Sequence, residues 1–217
     1  MDPTIAFLTI GQAPRHDIVP SILSALPRAR AVEAGALDGL DAAAVAALAP
    51  QDDDLPLVTH ANGGAVVVGK RAILPRLQGL IDRLNKEVDV FVILCTGGFA
   101  PFKATKPVVF PDRLLKGAVS ALWSTGVLGV VAPLEGQIAM NREVWSSYPL
   151  AIEVASPYAE GTALESAGDR LRQRGASLIV LNCMGFSEAM KAQVRQGTGL
   201  PVLLPSTVTG HLIGACL

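Results

Sequence analysis

Two cysteines stand in matching surroundings, and a matched pair of thiols is suited to proton transfer. The segment VDVFVILCTGGF (88–99) resembles ASLIVLNCMGF (176–186), so an apolar run leads into Cys95 and into Cys183. Glycine follows each cysteine within two residues, which lets backbone N–H groups approach an anion such as a carboxylate. If both thiols face one carbon from opposite sides, one removes a proton while the other delivers one.

This arrangement predicts a cofactor-independent racemase, epimerase or isomerase of a small carboxylate-bearing or cyclic-amide substrate, with Cys95 and Cys183 as the acid/base pair. Free cysteine titrates near about 8.5, so a site that lowers the pKa of one thiol suits this role. Two alternatives stay open: a single-cysteine decarboxylase of a small diacid, and a ligand-binding or regulatory relative without chemistry. A cysteine that ends a buried strand is also often only a small apolar residue.

Two turns carry candidate substrate-binding residues. In the first turn, which also contains Thr9, Gln12 is placed to donate to a carboxylate or amide, and Arg15 to pair with a carboxylate. A positive charge at a helix start opposes the helix dipole, so Arg15 needs a further reason to be there. In the counterpart turn, Gln137 is predicted to bind substrate and Glu135 to orient it. The alternatives are that Gln12 closes its turn, Arg15 is solvated and Glu135 is a favourable first-turn residue.

The residues after the cysteines complete the predicted site. Thr96 is expected to hydrogen-bond the Cys95 thiolate or the substrate, whereas Met184 in the equivalent place has no donor. Gly97 and Gly185 are the glycines whose backbone is expected to approach the substrate. The two halves of the site are therefore predicted to be unequal.

Other reactive side chains are assigned structural roles. His16, His60 and His211 lie far apart without metal-ligand spacing, so no metal site is predicted. Cys216 is expected to pack on the last helix. No phosphate-binding glycine fingerprint is present, so no nucleotide or other cofactor is predicted.

Short β-branched runs alternate with helical patterns, which is typical of an α/β fold with mostly parallel sheets. The predicted strands are 4–10, 30–33, 88–94, 127–132, 151–154, 177–181 and 201–204. The predicted helices are 15–26, 41–48, 70–86, 111–124, 135–146, 159–174, 187–196 and 206–216. Asn62-Gly63 between two apolar runs indicates one antiparallel hairpin.

The internal similarity extends beyond the cysteine segments. Residues 5–12 and 127–137 each form a predicted strand that runs into a turn with a glutamine. We therefore expect two pseudo-symmetric α/β lobes, each a mostly parallel sheet flanked by helices. Residues 1–100 and 206–217 are assigned to the first lobe, and residues 101–205 to the second.

Composition restricts the partners of this chain. Among 217 residues, 18 Lys+Arg and 19 Asp+Glu give a net charge of -1. Without a basic patch or a cluster of aromatic residues, nucleic acid is not expected. Glycines and prolines interrupt the uncharged stretches, so no membrane partner is expected. The 50% apolar content favours a homodimer.

The three cysteines are too few for a disulfide framework. The first residues also lack the positive charge of a signal peptide. Both observations favour a cytoplasmic location.

Three motifs carry a resemblance to a known family: LTIGQAPR (8–15), GALDGL (35–40) and LNCMGF (181–186). Over nearly the whole chain the sequence resembles the AroM family, whose function is uncertain. That family resembles in turn the aspartate/glutamate/hydantoin racemase superfamily, whose members have two pseudo-symmetric lobes and one catalytic cysteine in each. The resemblance implies the same lobes here, with Cys95 and Cys183 in the catalytic positions.

The sequence also departs from that superfamily. Its racemases typically follow the first cysteine with Asn-Thr and the second with threonine. Here Thr96-Gly97 follows Cys95, and Met184-Gly185-Phe186 follows Cys183. The departures imply a different set of substrate contacts around a retained pair of thiols.

Overall fold

The computed structural model describes residues 2–217 of the chain. Its strands are β1 (Thr4–Thr9), β2 (Arg30–Gly35), β3 (Pro56–Ala61), β4 (Gly64–Gly69), β5 (Val90–Leu94), β6 (Val108–Val109), β7 (Val127–Ala132), β8 (Leu150–Val154), β9 (Ala176–Leu181) and β10 (Val202–Leu203). Its helices are α1 (Val19–Leu23), α2 (Ala42–Ala46), α3 (Lys70–Leu84), α4 (Pro111–Leu122), α5 (Ile138–Val144), α6 (Ala163–Gln173), α7 (Glu188–Thr198) and α8 (Pro205–Cys216). A 3₁₀ turn at Glu135–Gln137 precedes α5.

The first sheet has the strand order β2-β1-β5-β6, and all neighbouring strands are parallel. Every residue of β1 and β5 is buried. Ile5 and Phe7 belong to one core cluster, while Ala6 and Leu8 belong to another. Alternate residues therefore serve opposite faces of a sheet that is covered on both sides, as parallel sheets generally are.

The second sheet repeats this arrangement, with the order β8-β7-β9-β10 and parallel pairing throughout. In chain order and in sheet position, β7, β8, β9 and β10 correspond to β1, β2, β5 and β6. The predicted α/β fold with two lobes, each a parallel sheet flanked by helices, is confirmed. The correspondence places the ends of β5 and β9 at equivalent points.

The hairpin β3–β4 is antiparallel and lies between the two lobes. Asn62 and Gly63 form its turn with φ angles of 52° and 76°, the left-handed values that a tight two-residue hairpin turn requires. Leu57 packs in a core cluster of the first lobe, whereas Val58 packs in one of the second. The hairpin therefore contributes to both cores.

Two predicted helices begin later than their sequence patterns suggest. The helix predicted from Arg15 starts at Val19, because the Arg15 N–H donates to the Glu33 carboxylate and its side chain turns inward. The helix predicted from Ala159 starts at Ala163. The loop between β8 and α6 is correspondingly longer than predicted.

The helices α4 and α8 each follow the last strand of one sheet and pack in the core of the other lobe. Leu115 of α4 lies in a core cluster with Leu128 of the second sheet. Ile213 of α8 lies in a core cluster with Ile5 of the first sheet. The two helices also contact each other, so the lobes are interlocked through these exchanged helices.

The predicted lobe limits, 1–100 with 206–217 and 101–205, stay a prediction. Val108–Val109 lies beyond residue 100 in the chain and pairs with β5 as the fourth strand of the first sheet.

Candidate functional site

Cys95 and Cys183 occupy equivalent positions after β5 and β9. The Cys95 N–H donates to the Ile93 carbonyl at 2.8 Å, and the Cys183 N–H donates to the Leu181 carbonyl at 2.9 Å. Both strands thus end in the same tight turn, and each cysteine is only 9% exposed. Ligands of open parallel sheets bind beyond the carboxyl ends of the strands, where both thiols lie.

The two cysteines line one small cavity of about 20 Å³, the inner cavity. Its other lining residues are Ile10, Arg15, Ile18, Val58, Thr59, Leu94, Thr96, Tyr158, Met184 and Gly185. Thr96 also donates its hydroxyl hydrogen to the Asn182 carbonyl at 3.0 Å. Of the residues predicted for the site, the structure thus brings six to one cavity: Arg15, Cys95, Thr96, Cys183, Met184 and Gly185.

Burial raises the pKa of Cys95 to about 12 and the pKa of Cys183 to about 11. The proximity of Cys183 further raises the pKa of Cys95, because two neighbouring negative charges repel each other. Both groups are therefore protonated thiols at neutral pH in this closed arrangement. The expected lowering of one thiol pKa is not observed, because the cavity shields both sulfur atoms from water.

The glycine two residues after each cysteine places its backbone N–H near the sulfur atom. The Gly97 N–H lies 3.3 Å from the Cys95 sulfur. This hydrogen bond lowers the pKa of Cys95, and the backbone of Gly185 lowers the pKa of Cys183. These glycines were expected to direct N–H groups towards a substrate, whereas here the groups point at the sulfur atoms.

Lys70, the first residue of α3, fixes the loop after Cys95. Its ammonium group donates to the Gly97 carbonyl at 3.0 Å and to the Gly98 carbonyl, and it lies 5.3 Å from the centre of the Phe99 ring. Its charge lowers the pKa of Cys95. Lys70 is not among the residues predicted from the sequence, although a basic residue at a helix start is the same signal that pointed to Arg15.

Arg15 is buried, and all five of its N–H groups have acceptors within the protein. Nε and Nη2 bind the Asp17 carboxylate at 2.9 and 2.7 Å. Nη1 donates to the hydroxyls of Thr9 and Thr59 at 3.1 and 3.3 Å. Nη2 also donates to the Tyr158 phenol oxygen at 2.9 Å. Thr9 therefore contacts Arg15 and does not line the cavity, and the positive charge of Arg15 lowers the pKa of the thiol after β9.

Gln12 holds three backbone segments together. Its Nε2 donates to the Leu37 and Leu40 carbonyls at 3.2 and 3.0 Å, and its Oε1 accepts from the Asn62 N–H at 2.7 Å. The side chain lies away from the thiols, at the wall of an outer cleft. Gln12 thus orders the turn, which is the alternative that the sequence left open.

The structure does not bring Glu135 and Gln137 to the thiols. Glu135 is exposed, whereas Gln137 is buried and donates to the Pro56 carbonyl at 2.8 Å. The Gln137 carbonyl accepts from Asn141, whose side-chain oxygen accepts from Asn182 at 2.6 Å. This buried chain of hydrogen bonds links the hairpin to the residue before Cys183, so Gln137 supports the site from a distance.

The outer cleft, of about 470 Å³, lies next to the inner cavity. Its lining residues are Gln12, Ala13, Pro14, Arg15, His16, Asp17, His60, Ala61, Asn62, Gly63, Pro157, Tyr158, Gly185, Ser187 and Met190. Arg15, Tyr158 and Gly185 line both spaces. The ring of His60, assigned a structural role above, contacts the Tyr158 ring with centroids 4.8 Å apart.

Tyr158 is the main site residue that was not predicted from the sequence. It lies between β8 and α6, beyond the carboxyl end of a parallel strand, which is the position that drew attention to the cysteines. Because a helix was predicted from Ala159, Tyr158 was assigned to a helix boundary and not to the loop that follows the strand. Burial is the largest cause that raises the pKa of Tyr158, so the phenol is neutral beside Arg15.

The sequence profile of the AroM protein family matches residues 5–217. The chain belongs to the AroM family. No curated protein matches it. The match extends over nearly the whole length of this AroM-family chain, in agreement with the resemblance in its motifs.

Solved structures share the fold of this AroM-family chain along almost its whole length. Glutamate racemase from Francisella tularensis subsp. tularensis SCHU S4, in complex with D-glutamate, has a TM-score of 0.64 at 14% identity, covering 100% of this chain and 81% of that one. Arylmalonate decarboxylase has a TM-score of 0.61 at 15% identity, covering 99% and 92%. Allantoin racemase from Pseudomonas fluorescens has a TM-score of 0.59 at 17% identity, covering 99% and 90%. The chain therefore shares the fold of these two racemases and of the decarboxylase.

Within residues 2–217, no helix combines the length and the apolar character needed to cross a membrane. In the same range, no three His, Cys, Asp or Glu side chains are grouped as a metal site requires. The homodimer, the cytoplasmic location and the lack of a cofactor stay predictions.

Proposed function

We propose that this protein is a cofactor-independent isomerase of the racemase or epimerase type. In this proposal it moves a proton at the carbon next to the carboxylate or cyclic amide of a small molecule. One observation carries the proposal: Cys95 and Cys183, from equivalent strand ends, line one cavity. Each of the two has a glycine N–H and a cation beside it.

The chemistry assigns complementary roles to the two sulfur atoms. A thiolate on one side removes the proton from the carbon, and the electron pair of the broken C–H bond spreads into the adjacent carbonyl group. The opposite thiol then donates its proton to the other face of that carbon. The two sulfur atoms end the reaction with their protonation states exchanged.

One thiol must lose its proton before this reaction begins. Burial is the largest cause of the raised thiol pKa values, so opening of the inner cavity to water lowers them. Arg15 and Lys70 then supply positive charge beside the two sulfur atoms. In this proposal, the opening of the inner cavity is therefore also the step that allows a thiol to lose its proton.

The fold relatives support this class of reaction. They include racemases named for glutamate and allantoin, an amino acid and a cyclic amide, and a decarboxylase named for arylmalonate. All three names concern chemistry at a carbon beside a carbonyl group.

The test is proton exchange in deuterated water. The protein is incubated with glutamate, aspartate, allantoin, simple hydantoins and malonates, and deuterium uptake is followed by NMR. We expect exchange at the carbon beside the carbonyl in at least one of these compounds. Cys95→Ala and Cys183→Ala should each abolish it, while Cys216→Ala, at an exposed cysteine, should retain it.

Other outcomes distinguish the alternatives, once thermal unfolding has verified that each variant is folded. Release of carbon dioxide from a malonate that depends on one cysteine and survives loss of the other would replace the proposal with the single-cysteine decarboxylase. Saturable binding without exchange or decarboxylation would replace it with a ligand-binding role.

A further inference from the structure

The inner cavity is too small for any of these substrates. A volume of about 20 Å³ accommodates about one water molecule. The outer cleft, at about 470 Å³, has room for a small organic acid. A substrate that reaches the thiols must therefore move one of the three residues shared by both spaces: Arg15, Tyr158 or Gly185.

Tyr158 is the shared residue with the weakest attachment to its surroundings. Gly185 is backbone, and Arg15 is fixed by Asp17, Thr9 and Thr59. Tyr158 belongs to the loop between β8 and α6 and reaches the first lobe through its side chain, which contacts Arg15 and the His60 ring. Its displacement breaks one hydrogen bond and one ring contact, and it removes the packing of the ring against the core cluster that contains Cys183 and Phe186.

The phenol of Tyr158 accepts its hydrogen bond from the Arg15 guanidinium, a charged donor that binds carboxylates better than phenols. Four of the five Arg15 donors meet acceptors of the first lobe, and the fifth meets the neutral phenol of the second. A carboxylate offers guanidinium an opposite charge and two oxygen atoms that match its planar geometry, and the neutral phenol offers neither. The carboxylate of Asp17 is 43% exposed, so water screens its repulsion of a second anion.

We infer that Tyr158 occupies the place of an anionic ligand group on Arg15, and that a small carboxylate reaches Cys95 and Cys183 by displacing it. This inference rests on the proposed function and narrows its substrates to molecules with a free carboxylate or a comparable anionic group. Tyr158 is then a specificity-determining residue, because a neutral molecule that displaces it only replaces one neutral acceptor of Arg15 with another, whereas a carboxylate adds charge pairing.

Alkylation of the cysteines tests this inference without a known substrate. Iodoacetate and iodoacetamide attach groups of similar size to a thiolate but differ in charge, and peptide mass spectrometry resolves Cys95 from Cys183. The Tyr158→Phe variant lacks the hydroxyl group that accepts a hydrogen bond from Arg15, so Arg15 is available to the reagent. We expect the iodoacetate-to-iodoacetamide rate ratio at both cysteines to rise about tenfold, and acetate, but not acetamide, to slow the reaction.

Tyr148→Phe is the matched control, because it makes the same chemical change at the other tyrosine, which packs against Trp123 and Trp145. Its rate ratio should equal that of the unaltered protein. Arg15→Gln combined with Tyr158→Phe should lose the preference for iodoacetate. The acetate competition gives the same information if this double variant does not fold.

Equal acceleration of both reagents by Tyr158→Phe would overturn the inference and leave Tyr158 as steric cover only. An iodoacetate preference that persists without Arg15 would overturn it as well. Alkylation requires no turnover, so this test is independent of the proposed function. If the alkylation is anion-selective but no substrate exchanges a proton, the inference about Tyr158 stands and the proposed function fails.

Discussion

Thr96 donates its hydroxyl hydrogen to the backbone carbonyl of Asn182 at 3.0 Å. Thr96 directly follows Cys95, and Asn182 directly precedes Cys183, so this hydrogen bond joins the two cysteine loops across the lobes. Both residues are buried. This hydrogen bond therefore helps to fix the relative placement of the two thiols.

Thr96→Val is expected to weaken this connection. Valine has nearly the shape of threonine but leaves the buried Asn182 carbonyl without this donor, which costs about 1–3 kcal/mol. Urea unfolding measures the loss of stability. Thr209→Val is the matched control, because the buried Thr209 hydroxyl has no hydrogen-bond partner among residues 2–217. This control should be neutral or stabilising, and equal destabilisation by both changes would contradict the prediction.

Stability should fall with rising pH because of the buried thiols. Cys183 keeps its proton in the folded protein up to about pH 11, whereas an unfolded cysteine titrates near about 8.5. Its contribution is complete below about pH 8.5 and is lost as the pH rises towards 11, because the unfolded chain releases the proton first.

Cys183→Ala should therefore flatten the pH dependence of the free energy of unfolding by about 1.4 kcal/mol per pH unit in that window. Urea unfolding at several alkaline pH values measures this slope. The double variant Cys95→Ala/Cys183→Ala should show roughly twice the change. A slope in the double variant equal to that of the unaltered protein would show that the thiols are not buried as described.

Gly185→Ala should disturb the contact between the second cysteine loop and Tyr158. A Cβ at this position would overlap the Tyr158 phenol and lie 3.0 Å from the Pro157 side chain. We expect a loss of about 1–3 kcal/mol in stability and faster alkylation of Cys183 as Tyr158 is displaced.

Gly79→Ala is the control, because a Cβ there meets nothing within 4 Å and the residue lies inside α3. It should stabilise the protein by about 1 kcal/mol and leave alkylation unchanged. Unaltered alkylation of Cys183 in Gly185→Ala would contradict a role of this close contact in covering the thiol.

Lys70 is expected to act as a positioning residue for one thiol only. Lys70→Met keeps the length of the side chain but removes its hydrogen bonds to the loop after Cys95 and its positive charge. Because that charge lowers the pKa of Cys95, its loss should slow alkylation of Cys95 relative to Cys183 at the same pH. The exposed Lys86 provides the control Lys86→Met, which should leave the ratio unchanged. Equal slowing of both thiols by Lys70→Met would argue for a general structural effect.

The parts of the fold that depend on local sequence were predicted well. The hairpin follows from Asn62-Gly63, because only a few residues adopt the left-handed backbone that its turn requires. The start of α1 was wrong because Arg15 makes its decisive contacts with Glu33 and Tyr158, which are distant in the sequence. The two-residue strand β6 was missed because pairing with β5 defines it, not its own pattern.

The candidate site likewise combines features that follow from local sequence with contacts that form only between distant parts of the chain. The positions of Cys95 and Cys183 at equivalent strand ends could be predicted, because the two halves of the sequence resemble each other there. Gln12 and Gln137 were assigned to the substrate, whereas backbone carbonyls brought close by folding occupy their amide groups. The direction of the thiol pKa shifts was also unpredictable, because it depends on how completely the folded lobes exclude water.

The exchange of α4 and α8 between the lobes has a consequence for how the chain folds during its synthesis. The first sheet is made early, but Ile213 of its core cluster belongs to the last helix. That face of the sheet therefore cannot complete its packing until α8 has been synthesised. Neither half is expected to form a stable domain alone, and a ribosome-bound chain that ends before α8 should remain susceptible to proteases and a client for chaperones.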